Sequence, residues 1–313
     1  MDLGLGELHQ AIRDQTRAYA QKELAPRAHA LELGGALPED VRQQLAELGL
    51  FGLTIPEDAG GVGLDGVAFA LAIEALAEAS ADVAWRVAVH AGPGVAALAK
   101  DELEAFAEGA RLASFAEAKE GQAGLAPLPA DLLVALDAAG DLHRVEAPVG
   151  TPAETLGLGG AGLADVSLEG ATPLAGEGTR VRAWADLAAA ATMLGAARGA
   201  ASAATAYAKE RTQFGRSLGD FQAIQWKIAD AATELDAVRL LVWRAGSSLD
   251  AVDAAAARAY AAPRCARACH DALQIHGGYG YTKEYPVERP LRAVRMLARR
   301  DAARSRVAAA VIG

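Results

Sequence analysis

The part of the chain that follows Arg182 has helical character throughout, and this feature restricts the possible folds more than any other. Its apolar pattern predicts four long helices, at about residues 183–211, 219–247, 250–276 and 286–311. Alanine is abundant in these segments; it has the highest helix propensity and lets neighbouring helices approach closely. Long helices gain most of their stability by packing against neighbours. We therefore predict a C-terminal four-helix bundle at residues 182–313.

Helices also precede this bundle, and a region of short strands separates the two helical parts. Residues 111–180 contain short apolar runs broken by Gly, Pro and Asp, a pattern that is typical of strands and hairpins. We expect a mainly α fold with an N-terminal helical domain at residues 1–110, a reduced middle β domain at residues 111–181 and the bundle.

The first predicted helix has one apolar face, formed by Leu8, Ile12, Tyr19 and Leu24. Pro26 should end or kink it, because proline lacks the amide hydrogen that a helix interior needs.

The glycine-rich segment FGLTIPEDAGGVGLDG, residues 51–66, predicts a loop in which the backbone turns and approaches something closely. Two interpretations remain open for it: a phosphate-binding loop, or a connection between two helices.

Charge and composition exclude several classes of protein. The net charge of -10 makes a nucleic acid or an anionic membrane surface an unexpected partner. We see no signal peptide at the N-terminus, and no apolar run long enough to span a membrane. Cys265 and Cys269 are expected to be small buried side chains rather than metal ligands or a disulfide, so we expect a reducing compartment, the cytoplasm.

Two polar and aromatic segments interrupt the helices, and together with the element order they carry a resemblance. They read ERTQFGRSLGDFQAIQWKIAD, starting at Glu210, and QIHGGYGYTKEYPVERPLR, starting at Gln274. With the loop at residues 51–66, they make nearly the whole chain resemble the acyl-CoA dehydrogenase family. The resemblance implies a flavoprotein of fatty acid metabolism that removes two hydrogens across the Cα–Cβ bond of an acyl-CoA. A glutamate takes the α-proton, and FAD accepts the β-hydride.

The resemblance also implies which residues hold FAD. These are Arg211, Gln213, Phe214, Gln222, Gln274, Gly277 and Gly278. An arginine offers a planar charged fork to a pyrophosphate, a phenylalanine offers a face to adenine, and glycines let a phosphate approach the backbone. In the family this grip reaches FAD on a neighbouring subunit, so it implies a homo-oligomer, a dimer or tetramer, or a hetero-oligomer with a catalytic relative. Without the resemblance, the same residues could cap a helix, fill a core or end a helix.

The chain departs from the family at the catalytic base. The position of the usual glutamate falls on Asp301, which is one methylene shorter and stands among Arg299, Arg300 and Arg304. A base must lie within hydrogen-bond reach of its proton, and nearby cations lower its basicity. The alternative is a solvated aspartate on the last helix.

Two further departures concern the reactive end of the flavin. At the alternative position of the family's glutamate, on the first bundle helix, the chain has Ala185, followed by Asp186. In the β domain, Ala118 replaces the threonine that contacts the flavin ring, and the region is short for the family.

Three functions are therefore compatible with the sequence. The first is an active FAD-dependent acyl-CoA dehydrogenase. The second is a non-catalytic subunit that lends Arg211 and Phe214 to FAD on a catalytic partner. The third is a flavin-free binding protein on the same fold. The sequence identifies neither the acyl chain nor the electron acceptor.

Overall fold

A computed structural model describes residues 5–118, 122–298 and 300–312, without the side chains of residues 122, 123, 300 and 301. The N-terminal part is helical. Its helices are α1 (Glu7–Tyr19), α2 (Ala28–Leu33), α3 (Glu39–Glu47), α4 (Gly66–Ala79), α5 (Ala81–Val89) and α6 (Glu104–Ala107), with π-helical turns at Ala20–Leu24 and His90–Gly94 and 3₁₀ turns at Ala25–Arg27, Glu57–Ala59 and Lys100–Glu102.

The first helix follows the prediction except at its beginning. Pro26 lies in the 3₁₀ turn that separates the first helical stretch from α2, as expected. Leu24 is fully buried, and Ile12 and Tyr19 pack against the core. Leu8 lies in α1 as predicted but is 62% exposed. Leu8 lies in the first turn of α1, before the part of the helix that packs against the core.

The glycine-rich segment at residues 51–66 is a packed connection between α3 and α4. Phe51, Leu53 and Ile55 are buried in it, and a Cβ on Gly61 would lie 2.0 Å from the carbonyl oxygen of Ile55. The backbone that Gly61 approaches is therefore its own loop. Asp65 ends the segment by accepting hydrogen bonds from the amides of the first turn of α4. This geometry favours the helix connection over a phosphate-binding loop.

The middle of the chain forms two small sheets. The strands are β1 (Ala113–Glu117), β2 (Gln122–Pro127), β3 (Leu132–Leu136), β4 (Leu142–Glu146), β5 (Gly150–Pro152), β6 (Leu163–Ser167) and β7 (Thr172–Pro173). One sheet has the order β1-β3-β4-β7, with β1 and β3 parallel and Ala113 opposite Leu132; the other has the order β2-β6-β5 and is antiparallel.

Alternation along the strands gives the first sheet two buried faces. Phe115 and Val134 belong to the cluster that packs against α5 and α7, whereas Ala116 and Leu133 belong to the cluster between the two sheets. As a result, the C-terminal end of β1, at Glu117, lies beside the helices.

The C-terminal part is the predicted bundle, with one correction. Its elements are α7 (Gly178–Glu210), the short strands β8 (Thr212–Gln213) and β9 (Arg216–Ser217), α8 (Gln222–Ser248), α9 (Ala251–His276), a 3₁₀ turn at Gly277–Tyr281, α10 (Glu288–Leu297) and α11 (Arg300–Ile312). The predicted fourth helix is two helices, because Ala298 leaves the helical conformation with ψ at 35°.

Small residues let the long helix α7 approach α4 closely. A Cβ on Gly195 would lie 2.2 Å from the carbonyl oxygen of Glu74, and one on Gly199 would lie 2.3 Å from that of Glu78. The two glycines are four residues apart and so lie on one face of α7. Among the residues described here, no helix is long and apolar enough to cross a bilayer.

Candidate cofactor and ligand site

The first predicted site segment is a hairpin that carries an exposed aromatic ring. Thr212 pairs with Ser217, and Gln213 pairs with Arg216. At the turn, Phe214 and Gly215 both have positive φ, 53° and 77°, as a type I′ hairpin turn requires. The conformation is uncommon for a residue with a Cβ. It leaves the Phe214 side chain 93% exposed.

Phe221 packs against two side chains of this hairpin. Its ring meets that of Phe214 edge to face, with centroids 6.4 Å apart, and the guanidinium of Arg216 lies 4.0 Å from the Phe221 centroid. Such contacts hold a short hairpin that has only two residues in each strand. Sequence reasoning did not assign a role to Arg216.

The second predicted segment begins where α9 ends. Gly277 has φ 60° and ψ -135°, a conformation that suits only glycine. A Cβ on Gly277 or Gly278 would meet no atom within 4 Å, and both residues are exposed. The backbone amides of this turn are therefore open to a group that approaches from outside the chain.

Aromatic side chains join the two segments. Tyr207, near the end of α7, stacks on His276, at the end of α9, and Tyr285 meets both rings edge to face. Tyr279 continues the cluster, with its centroid 5.6 Å from that of Tyr285. The guanidinium of Arg211 lies 5.8 Å from the Tyr279 centroid. The first segment thus contacts the turn of the second.

The remaining predicted cofactor residues, Gln213, Gln222 and Gln274, are all exposed. Gln274 donates to the hydroxyl of Tyr281 at 3.4 Å, and Gln213 donates to the carbonyl of Thr212. Gln222 is exposed at the first position of α8. Among the described contacts, none joins Gln222 to the second segment. Charge, amide groups, an aromatic face and open glycines suit a ligand that has both phosphates and an aromatic base.

A separate cavity lies where β1, α5, α7, α9 and α10 meet, and we call it the junction cavity. Its volume is about 90 Å³. The lining is largely apolar and includes Trp85, Phe115, Leu163, Met296 and Leu297. Ala185 also lines the cavity. The alternative position of the family's glutamate is therefore at this cavity, but the residue there has no carboxylate. Among the described lining residues, Glu117 and Arg258 are the only charged ones.

Asp186 lies behind the junction cavity in a buried ion-pair cluster. Its side chain is fully buried, with one carboxylate oxygen 2.9 Å from Nη1 of Arg258 and the other bonded to Nη2 of Arg306. Arg258 and Arg182 also approach Glu117, at 4.0 Å and 3.8 Å. We call these five residues the arginine cluster. Because both oxygens of Asp186 are bonded to arginine, it is poorly placed to accept a proton from a ligand.

Two further predicted positions concern the flavin ring and the catalytic base. Ala118 follows β1 directly, is buried and has no hydroxyl to offer to a flavin. Asp301 lies on the backbone of α11, and its side chain falls outside the described residues. The prediction that Asp301 is the base therefore stays a prediction.

Sequence reasoning missed Glu117, Arg258 and the arginine cluster. The two residues of each ion pair in the cluster are far apart in the chain; Arg258, for example, follows Asp186 by 72 residues. A local motif could not have signalled it. Tyr279 does lie within a quoted motif, and its neighbouring glycines were the signal that could have identified it.

Comparison with known proteins covers the whole chain. A model described as acyl-CoA dehydrogenase, N-terminal domain, matches residues 6–105, and one described as acyl-CoA dehydrogenase, C-terminal domain, matches residues 183–299. The chain is 31% identical to the protein named Probable acyl-CoA dehydrogenase YngJ of Bacillus subtilis, with 95% of each chain covered. It is also 31% identical to benzylmalonyl-CoA dehydrogenase of Aromatoleum aromaticum, with 94% of each covered.

The solved structure of butyryl-CoA dehydrogenase from Megasphaera elsdenii matches with a TM-score of 0.85 and covers 100% of both chains. At 23% sequence identity, this match shows a similarity of fold. The alignment with the Bacillus subtilis protein extends over 361 positions, more than the 313 residues of this chain. That relative therefore contains residues that have no counterpart here.

Proposed function

The chain belongs to the acyl-CoA dehydrogenase family, and we propose that it is an FAD-dependent oxidoreductase that dehydrogenates the Cα–Cβ bond of an acyl-CoA thioester. The observation that supports this most strongly is that Arg211, which is followed by the hairpin carrying the exposed Phe214, contacts Tyr279 in the turn that begins at the open Gly277. These two neighbouring segments thus offer a cation, an aromatic ring and open backbone amides, three kinds of group that suit FAD.

The residues of this surface fit the ADP portion of FAD. Arg211 would hold the pyrophosphate, and the exposed amides of Gly277 and Gly278 would let a phosphate approach the backbone. Phe214 would cover the adenine. Gln213, Gln222 and Gln274 would supply amide groups to the same portion.

The exposure of Phe214 supports an oligomer. A ring that is 93% exposed at the tip of a hairpin is positioned to reach beyond its own chain. We therefore propose that each chain grips FAD held mainly by a neighbour, in a homo-oligomer.

The junction cavity suits the acyl chain better than the flavin ring. A cavity of about 150 Å³ in another protein holds benzene, so a space of about 90 Å³ has room for a few carbon atoms but not for three fused rings. FAD would supply the hydride acceptor when bound. We assign the acceptance of the α-proton to Asp301, the acid at the position of the family's glutamate.

An absorption spectrum of the purified protein tests the proposal. We expect the visible bands of bound flavin, and their bleaching when an acyl-CoA is added without oxygen. Arg211→Ala should weaken FAD binding about 10- to 100-fold, because it removes charge-assisted hydrogen bonds. Arg244→Ala, on an exposed part of α8, is the matched control. Colourless protein that takes up no added FAD would refute the proposal.

A second candidate is a subunit that lends its grip to a catalytic relative. The small size of the junction cavity, in a chain that has all the residues proposed to grip FAD, favours it. Co-expression with a relative that has an intact glutamate, followed by native mass analysis, distinguishes the two. A mixed assembly with more flavin than either protein alone would support this candidate, whereas a flavin-containing homo-oligomer would exclude it.

We also place the protein in the cytoplasm. Cys265 and Cys269 are both free and buried, and burial raises the pKa of the Cys269 thiol to about 12. Thiols of this kind are inert and typical of proteins in a reducing compartment.

A further inference from the structure

Arg258 is a buried cation that is only partly satisfied by its neighbours. Its exposure is 9%, and it lines the junction cavity from α9. Nη1 donates to Asp186, but Nε is buried without a hydrogen-bond acceptor among the described residues. Buried donors without partners are rare in folded proteins, so the hydrogen-bonding capacity of Arg258 is not fully used by the described part of its own chain.

Among the side chains that the structure describes, the arginine cluster has more cations than carboxylates. It contains three guanidiniums, of Arg182, Arg258 and Arg306, and two carboxylates, of Asp186 and Glu117. Nε of Arg306 is also buried without an acceptor in the described part of the chain. Arg182 and Arg306 are partly exposed, with side-chain exposures of 20% and 25%, whereas Arg258 is buried. An anion that enters the cavity would therefore interact most strongly with Arg258.

The rest of the cavity restricts what the anion can be attached to. Trp85, Leu163 and Leu297 give it apolar walls, and about 90 Å³ admits only a short chain. A ligand that fits both parts has a few methylene groups and ends in an anionic group.

We propose that the junction cavity takes a short acyl chain that ends in a carboxylate, and that Arg258 selects it. The inference rests on the proposed function, because it takes the ligand to be an acyl-CoA thioester. Arg258 is the positioning and specificity residue in this arrangement. Glu117 opposes the ligand, since a carboxylate at 4.0 Å from Arg258 competes for the same guanidinium. Arg182 lies 3.8 Å from Glu117 and would remain its ion-pair partner when the ligand binds to Arg258.

Calorimetric titration of the flavin-loaded protein with glutaryl-CoA and valeryl-CoA tests this, because both acyl groups have the same number of carbons and differ in the terminal carboxylate. We expect glutaryl-CoA to bind about 10- to 100-fold more tightly, the range expected for a hydrogen bond to a charged group. Arg258→Gln should remove this preference, so that the dissociation constants of the two thioesters differ by no more than about twofold. Arg267→Gln is the control, because it makes the same change at an exposed position of α9.

A gain of affinity gives a test that a folding defect cannot imitate. Glu117→Gln removes the competing carboxylate, so we expect glutaryl-CoA to bind several times more tightly and valeryl-CoA to be unaffected. If Arg258→Gln does not fold, Glu117→Gln provides the test. Unchanged affinity of Glu117→Gln for glutaryl-CoA would overturn the proposal.

The remaining outcomes separate this inference from the proposed function. Equal affinity of the wild-type protein for the two thioesters overturns the role of Arg258 but leaves a thioester-binding flavoprotein. Bound flavin with no thioester binding also overturns it. Protein without flavin that binds neither thioester refutes the proposed function as well.

Discussion

Tyr207 and His276 stack with ring centroids 4.3 Å apart and an interplanar angle of 21°, and this contact joins the ends of α7 and α9. His276 is buried, and its Nδ1 donates to the carbonyl of Ala272 at 2.8 Å. The stack therefore fixes the relative position of the hairpin that follows α7 and the turn that follows α9. Both segments of the proposed FAD grip depend on it.

Replacing His276 by alanine should weaken the grip without removing any of its proposed contacts. We expect His276→Ala to lower the free energy of unfolding by about 2 kcal/mol, through loss of packing and of a buried hydrogen bond. FAD affinity should fall with it. A double-mutant cycle with Tyr207→Ala, measured by urea unfolding, should give a coupling energy of about 0.5–1.5 kcal/mol. Additive effects would show that the stack does not join the two helices.

A substitution at Gly278 should affect FAD binding without affecting the stability of the fold. A Cβ there meets no atom of the described chain within 4 Å, so Gly278→Ala should leave the unfolding midpoint unchanged. If a phosphate approaches this backbone, the added methyl group should weaken FAD binding about tenfold. Gly195→Ala is the contrasting variant, since its Cβ would lie 2.2 Å from a carbonyl oxygen and should destabilise the fold. Unchanged FAD affinity of Gly278→Ala would exclude this turn from the grip.

Asp82 should make the protein less stable as the pH rises. Burial raises the pKa of this carboxyl to about 6, from 3.8, while the amide of Gly160 donates to its Oδ1 at 2.8 Å. Since the folded state binds the proton more tightly than the unfolded chain, the stabilisation is complete below pH 3.8 and is lost as the pH rises through about 6.

Asp82→Asn should therefore stabilise the protein at neutral pH, by about 1–3 kcal/mol. The asparagine oxygen can still accept from Gly160, and no charge remains to be desolvated. Urea unfolding over a series of pH values measures the effect, with the exposed Asp58→Asn as control. A gain that persists unchanged at low pH would contradict this explanation.

His90 should have the opposite pH dependence. It is buried between the carbonyl of Phe106, which accepts from Nε2, and the amide of Ala113, which donates to Nδ1. Burial lowers the pKa of its imidazole to about 4, from 6.5. The unfolded chain thus binds the proton more tightly, and the stability due to this residue is lost as the pH falls from 6.5 through about 4.

His90→Leu tests this assignment by removing both hydrogen bonds and the titrating group. We expect it to be about 2 kcal/mol less stable than the wild type at neutral pH. Its unfolding free energy should also fall less steeply between pH 6.5 and about 4. If the unfolding free energy of the two proteins falls equally steeply over this pH range, the acid sensitivity belongs to other groups.

The sequence alone determined the features that depend on local pattern. The long alanine-rich helices, the short strands of the middle region and the break at Pro26 follow from propensity and periodicity, and the structure contains them. The resemblance and its two segments also led to the family.

Only the tertiary structure decided the features that depend on distant residues. Whether Leu8 is covered depends on where α1 meets the core. The arginine cluster brings Glu117, Asp186 and Arg258 together from a strand and two helices. No local propensity encodes such a contact, because a buried ion pair forms only when the fold removes both groups from water together.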